Sequence, residues 1–396
     1  MSGGTRIGML TPSSNSALEP ETYRMLTGLP EVSAHFARIP VTHIDLGAAA
    51  TAQFDRATMA QACALLADAR VDVVAWNGTS GSWLGPDRDR ELAAALTEVA
   101  GVPATTSTLA LLSAFRAVGV RRLGLATPYT DPVVGAIAAQ YARHGVTVAC
   151  ETHLNITDNE AFARVGPGEL DRLIRGAATE QVDAVAVVCT NLHGAPLAAK
   201  LEAELGIPVL DSVTVTLWHA LMLADADRPV AGFGSLLLSG GLRFRLTDIA
   251  ERLLGATGAA RVTVRLDVPE LGLSVDGPGA ESARAGVPPL GADLVVDQRA
   301  LDTVAWIAEH RRPLVQPDFS GPPSPPDVLR TGYGVRAQML GPVLRREALA
   351  GWLSVHSGHE REWSTSDLAA LDEAVTATRD ELDRIDRDGG LAGYPD

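Results

Sequence analysis

The chain contains one pattern twice. VDVVAWNGT at 71–79 aligns with VDAVAVVCT at 182–190 at an offset of 111, pairing Val71 with Val182, Asp72 with Asp183, Gly78 with Cys189 and Thr79 with Thr190. Further on, GVPATTS (101–107) matches GIPVLDS (206–212), and upstream IGMLTP (7–12) matches LGLATP (123–128). Three matches in the same order describe a duplication, not a long array. Within each copy, short apolar runs alternate with helical patterns. RIGML precedes ALEPETYRMLTGL, VDVVAWN precedes DRDRELAAALTEVA, RRLGLAT precedes DPVVGAIAAQYARHG, and VDAVAVVC precedes APLAAKLEAELG. Runs that are apolar throughout are those of parallel strands covered on both faces. The expectation is an α/β fold of two pseudo-symmetric parallel-sheet halves over residues 1–240.

Beyond about residue 240 the pattern changes. LRFRLTDIAERLLGATGA reads as an amphipathic helix with Leu242, Leu246, Ile249, Leu253 and Leu254 on one face. RVTVRLDV alternates like an antiparallel strand, and RAQMLGPVL and AGWLSVHS are further strand candidates. TSDLAALDEAVTATRDELDRI closes the chain as a helix capped by Thr365 or Ser366. Residues 241–390 are therefore expected to form a second domain, of α+β build.

A net charge of −15 argues against nucleic acid and anionic membranes as partners, since both need clustered Lys and Arg. No apolar run approaches the roughly 18 residues of a membrane span. MSGGTRIGML lacks the flank and apolar core of a secretory signal. Cys63, Cys150 and Cys189 include no CxxC pair, so neither a disulfide framework nor a zinc knuckle is expected. The expectation is a reduced, cytoplasmic protein. Walker, GxGxxG, HExxH and GxSxG motifs are all missing, which removes the main support for nucleotide, zinc-protease and esterase chemistry.

In open α/β sheets, ligands collect beyond the carboxyl ends of the strands. Four such tips follow from the duplication: TPSSNSALEPE (11–21), NGTSGSW (77–83), TPYTDP (127–132) and CTNLHG (189–194). Each is rich in hydroxyls with Asn, Tyr or Cys, and none carries Lys or Arg. Neutral donors of this kind hold a carboxylate through hydroxyls, side-chain amides and backbone N–H groups. Taken singly, each residue has a bland reading. A strand-end Cys is an ordinary core residue, Ser, Thr and Asn are caps, Tyr129 is a packed aromatic, and His193 and His219 lie beside no obvious carboxylate. The conjunction of four tips with one thiol favours a site.

GMLTPSSNSALEPE, ATPYTDPV, ITDNEAFARV, VVCTNLHG and LEAELGIPVLDSVTVTLWHAL together resemble the maleate isomerase and arylmalonate decarboxylase branch of the aspartate/glutamate racemase superfamily, over about residues 5–235. That resemblance implies two α/β halves flanking a small carboxylate substrate, with no metal or organic cofactor. It makes Cys189 the second-half cysteine and puts Asn15, Asn159 and Tyr129 on carboxylate-contacting positions. The candidate catalytic set is Cys189, Tyr129, Thr79 and Ser80. Ser14, Asn15, Gly78, Asn159, Thr190 and Asn191 are the candidate binding set.

The chain departs from the isomerase pattern at one point. The isomerase's other cysteine would stand at position 78, which is Gly78, and Gly78-Thr79-Ser80 resembles the decarboxylase's dioxyanion segment. Racemisation or covalent isomerisation needs a second group opposite the first. Decarboxylation needs a pocket for the enediolate and one acid. A thiol with an ordinary value of about 8.5 starts protonated and serves as that acid. Against this, Asn15 and Asn159 look isomerase-like, and the family includes an ectoine-utilisation branch. The readings are decarboxylation of a small dicarboxylate or substituted malonate, maleate isomerisation, and a non-catalytic small-molecule sensor.

WIAEHRRPLVQPDF and GVRAQMLGPVLRREALAGWLSVHSGHEREWSTSDLAALDEAV resemble a GAF domain over about 243–388, notably Gly351–Trp352–Leu353–Ser354–Val355 followed by Trp363. GAF domains bind small molecules or dimerise. With no cysteine here, covalent attachment of a bilin is not expected. The resemblance implies a dimerising or stabilising domain, hence a homo-oligomer.

Overall fold

A computed structural model describes residues 4–290 and 296–387. The chain forms two compact units, Met1–Gly241 and Leu242–Asp396. The first contains strands β1 (Thr5–Pro12), β2 (Val32–Ile39), β3 (Val73–Trp76), β4 (Ala104–Thr106), β5 (Arg122–Thr127), β6 (Thr147–His153), β7 (Ala184–Val187) and β8 (Val209–Asp211). They form two parallel four-stranded sheets, ordered β2-β1-β3-β4 and β6-β5-β7-β8. The two orders are the same, as a duplication requires. Fold class and duplication are both as the sequence implies.

The repeated residues explain how each sheet is assembled. β3 and β7 are buried along their whole length, which accounts for their unbroken apolar runs. Asp72 Oδ2 accepts from Arg6 N–H (2.7 Å), and Asp183 Oδ2 accepts from Arg122 N–H (2.7 Å). The repeated aspartate thus ties each inner strand to its neighbour's start. Gly101 (φ 70°) and Gly206 (φ 71°) each end a helix in the left-handed region, where glycine carries no Cβ penalty. Thr106 and Asp211, equivalent in the repeat, cap the next helices by accepting from Leu109 N–H (3.1 Å) and Val213 N–H (3.0 Å).

Two details differ from the sequence reading. β7 stops at Val187, so Cys189 stands in the loop beyond the strand rather than at its end. The helix expected from Leu242 already begins at Ser235 and runs to Thr257.

The second unit holds β9 (Arg261–Leu266), β10 (Ala280–Ala283), β11 (Leu314–Gln316), β12 (Ala337–Arg345) and β13 (Ala348–Ser357) in one antiparallel sheet, ordered β10-β9-β13-β12-β11. β12 and β13 are joined through Arg346 (φ 49°) and Glu347 (φ 68°), a two-residue turn with both residues left-handed. The closing helix Thr365–Arg387 is capped by Ser364, not by Thr365 or Ser366. Ser364 Oγ accepts from Asp367 N–H (3.1 Å) while Asp367 Oδ2 accepts from Ser364 N–H (2.9 Å), a capping box with Asp in the usual Glu position. β9 alternates in sequence yet is buried at all six positions, polar ones included.

Candidate active site

The four tips issue from β1, β3, β5 and β7, the two central strands of each sheet. Asn77 N–H donates to the Leu10 carbonyl oxygen (2.9 Å), and Val188 N–H donates to the Ala126 carbonyl oxygen at the same distance of 2.9 Å. Both inner strands are therefore held in the same register just before their tips begin.

Beyond that point the halves interlock. Asn15 Nδ2 donates to the Thr190 carbonyl oxygen (3.1 Å) and hydroxyl (3.2 Å), while Asn15 Oδ1 accepts from Leu18 N–H (2.9 Å). Asn191 Oδ1 accepts from Ser16 N–H (3.0 Å), and its Nδ2 donates to the Asn159 carbonyl oxygen (2.5 Å). Asn159 Nδ2 donates to Ser14 Oγ (2.7 Å), and Thr190 Oγ1 donates to the Asn77 carbonyl oxygen (3.0 Å). Ser14, Asn15, Asn159, Thr190 and Asn191 are thus joined in one network across the halves. Asn15 and Asn191 also occupy the first amides of the helix Leu18–Leu26, so those N–H groups already have partners.

At the centre Thr79 Oγ1 and the Tyr129 hydroxyl are 2.7 Å apart. The Cys189 thiol accepts from Asn191 N–H at 3.4 Å. Cys189 is 2% exposed, and burial pushes its thiol up to about 12 against the hydrogen bonds from Asn191 and Tyr129. Burial raises the Tyr129 phenol as well, so both groups carry their protons at neutral pH. Ser80 is buried beside Thr79 at the start of the short helix Gly81–Leu84, and its hydroxyl makes no hydrogen bond among the described residues.

Position 78 has no room for a side chain. A Cβ on Gly78 would lie 2.3 Å from Cζ2, 2.4 Å from Cε2 and 2.7 Å from Nε1 of Trp76. Trp76 is fully buried, and its Nε1 has no partner among the described residues. Three more atoms at the first-half tips are buried and have no partner among the described residues: Thr11 Oγ1, Asn77 Oδ1 and Trp83 Nε1. Rings lie alongside. Trp83 packs edge-on to Tyr129 (centroids 5.2 Å apart), Tyr129 to Phe162 (5.5 Å), and Phe54 to both Trp83 (6.3 Å) and Trp76 (6.5 Å). Sequence reasoning missed Trp76 because its importance is a three-dimensional distance. The one available signal was its place two residues before Gly78.

Two buried acids stand behind the loops. Asp211 is pushed up to about 7, first by burial and also by the Glu21 charge, and its Oδ2 lacks a partner among the described residues. A Cβ on Gly194 would come within 2.5 Å of that oxygen, so the loop after Cys189 passes directly over it. Glu21, 1% exposed, pairs with His193 Nδ1 at 2.7 Å. The sequence reading left His193 without a carboxylate, because Glu21 lies 172 residues away in the other half. His219 bonds Thr105 Oγ1 (2.8 Å), and burial holds it down near 4, a neutral core histidine. Among the described residues no group of three or more His, Cys, Asp or Glu side chains is arranged to hold a metal. No helix is long and apolar enough to cross a membrane, again among the described residues.

The arrangement supplies one protonated thiol, a Tyr–Thr hydroxyl pair and neutral donors beside an aromatic wall. Several proteins named for an activity match this part of the chain. Arylmalonate decarboxylase of Bordetella bronchiseptica is 31% identical over 236 residues, 58% of this chain and 95% of that protein. Maleate isomerase of Pseudomonas putida is 30% identical over 247 residues, 59% of this chain and 96% of that protein. The solved structure of a Cys-to-Ser mutant of the Nocardia farcinica maleate cis–trans isomerase, with a covalently bound succinylcysteine intermediate, matches with a TM-score of 0.56 at 26% identity, covering 59% of this chain and 98% of that one. The GAF domain model matches residues 242–378. The arylmalonate decarboxylase family model matches residues 7–237, and the chain belongs to that family, as a cofactor-independent enzyme of the aspartate/glutamate racemase type joined to a GAF domain.

Proposed function

We propose that the N-terminal unit decarboxylates a substituted malonate, with Cys189 as the single acid. The observation that carries this reading is Gly78 beneath the Trp76 indole. Where a two-thiol mechanism needs a second sulfur, an aromatic ring occupies the space. One-sided chemistry remains: loss of CO₂ leaves an enediolate, and one proton donor completes the reaction. In this reading Thr79, Ser80 and Tyr129, with backbone amides around Cys189 and Thr190, hold the enediolate oxygens. The thiol, held up to about 12, delivers the proton to the carbon and remains as a thiolate that solvent reprotonates. The rings of Trp83, Phe54 and Phe162 favour an apolar substituent on the malonate.

Maleate cis–trans isomerisation is the second reading. It is supported by the relatives of that name and by Asn15 and Asn159 at isomerase-like positions. Incubation of the purified protein with phenylmalonate and with maleate separates the two. Release of CO₂ from phenylmalonate is expected, and fumarate formed without CO₂ selects the isomerase. A dicarboxylate-induced rise in melting temperature without turnover of either compound selects a sensor.

A further inference from the structure

A thiol that gives up its proton must regain one before the next turnover, and Cys189 is 2% exposed. A buried acid stands behind its loop. β7 and β8 pair with Val187 opposite Asp211, so Asp211 lies beside the strand end from which Cys189 follows two residues later. The two carboxyl oxygens of Asp211 differ. Oδ1 accepts from Val213 N–H (3.0 Å) and Thr214 N–H (3.1 Å), capping the next helix. Oδ2 is buried with no partner among the described residues. Gly194 crosses over it, and a Cβ there would lie 2.5 Å from Oδ2. The backbone at Gly194 (φ −80°, ψ −32°) suits any residue, so what glycine permits here is close approach to the carboxyl.

The first half lacks this arrangement. Thr106 takes the place of Asp211 in the repeat, and the buried acid on that side, Asp89, accepts from the Thr106 hydroxyl (2.5 Å). The half with the thiol keeps a carboxyl oxygen free, and native structures leave few buried polar atoms unpaired without a reason. A way to solvent adjoins that oxygen. Burial first, and then the charge of Glu21 on the helix Leu18–Leu26, raise Asp211. Glu21 pairs with His193 Nδ1 (2.7 Å), whose side chain is 39% exposed. Arg24 also holds Glu21 (2.8 Å), and Glu202, on the helix packed against β8, is engaged by Val209 N–H (2.9 Å).

Resting on the decarboxylation reading, we propose that Asp211 returns the proton to Cys189 once the thiol has given its own to the product carbon. The Asp211 O–H bond breaks and an S–H bond forms, with the O–H electron pair left on the carboxylate. A solvent proton that enters at His193 and passes through Glu21 restores the acid. Cys189 remains the one acid that meets the substrate, and Asp211 acts through it. The transfer runs downhill, from a carboxyl at about 7 to a thiol at about 12.

The test uses the full-length protein with phenylmalonate. Asp211→Asn keeps an oxygen for the two helix N–H groups but has no acid proton to give. Its first turnover should match the parent, as a burst of one product per protein, and later turnovers should slow about 10²-fold with kcat/KM unchanged. His193→Gln, an exposed change that leaves the core intact, should give the same burst with a smaller slowing. A merely structural Asp211 would slow the first turnover as much as the rest. A second readout needs no substrate: labelling of Cys189 by iodoacetamide at pH 9, read on its peptide by mass spectrometry. Asp211→Asn removes a charge that opposes the thiolate, so labelling should rise at least about threefold. If the parent turns over no phenylmalonate, the decarboxylation reading fails, and labelling alone then keeps or discards the link between Asp211 and Cys189. Equal kcat in parent and Asp211→Asn, a slowed first turnover, or unchanged labelling would overturn the proposal.

Discussion

A thiol 2% exposed and held up to about 12 behaves unlike a reactive cysteine. It stays protonated through the working pH range and alkylates slowly. The account therefore predicts that kcat/KM with an arylmalonate shows no thiol limb between pH 7 and 9.5; a fall centred near the ordinary thiol value of about 8.5 would contradict it. Cys189→Ala should abolish turnover, and unchanged activity would remove the thiol from the mechanism. Thr79→Val, which deletes the 2.7 Å partner of the Tyr129 hydroxyl, should lower kcat by about 10²–10³, the usual loss of one oxyanion donor. Cys189, Thr79 and Tyr129 were candidates in the sequence because they stand on the four strand tips and within the segments that carry the family resemblance. Trp76 was not, because a tryptophan at the end of an apolar strand looks like any core residue until its ring is seen 2.3 Å from the Cβ that Gly78 lacks.

Among elements, the tip after β3 is where the chain departs from a two-thiol site. Gly78→Cys must displace the Trp76 indole, so it should lower stability by about 1–3 kcal/mol, the usual range for overpacking. Pairing it with Trp76→Leu should recover part of that loss, and a denaturation double-mutant cycle reads the coupling. Strictly additive effects would show that the two positions do not share space. The central strands β1, β3, β5 and β7 were readable because burial on both faces leaves an unbroken apolar run. The outer strands were not. β4 and β8 are only three residues long, and β6 is an edge strand of mostly polar, half-exposed residues. The Ser364 cap lies one or two residues before the Thr365 or Ser366 of the reading, within the ordinary uncertainty of helix ends.

Across the whole molecule, buried titratable groups set the pH dependence of stability. Asp211 at about 7 and Asp89 at about 6 bind protons more tightly folded than unfolded, where an aspartate titrates at about 3.9. Their contribution falls as pH rises from about 4 to 7. His219 at about 4 and His356 at about 3 act oppositely, since the unfolded chain takes up protons below about 6.5 that the folded chain excludes. Asp211→Asn should isolate the first effect. Unfolding free energies at pH 5 and 7.5 should show the parent losing stability relative to the variant at the higher pH; a constant difference would contradict the raised value. At this scale the duplication was legible from three aligned segments, whereas the contacts that join the halves were not. Asn15 with Thr190 and Glu21 with His193 meet across more than 170 residues of sequence, and no local pattern links them.

The central claim is that one protonated thiol on one face carries the chemistry. Turnover of phenylmalonate in D₂O, followed by NMR, tests it most directly. The account predicts CO₂ release with a single deuterium in the arylacetate, delivered to one face, and no later exchange at that carbon. Fumarate from maleate without CO₂, or continuing exchange that racemises a chiral arylalkanoate product, would require a second group opposite Cys189 and contradict it.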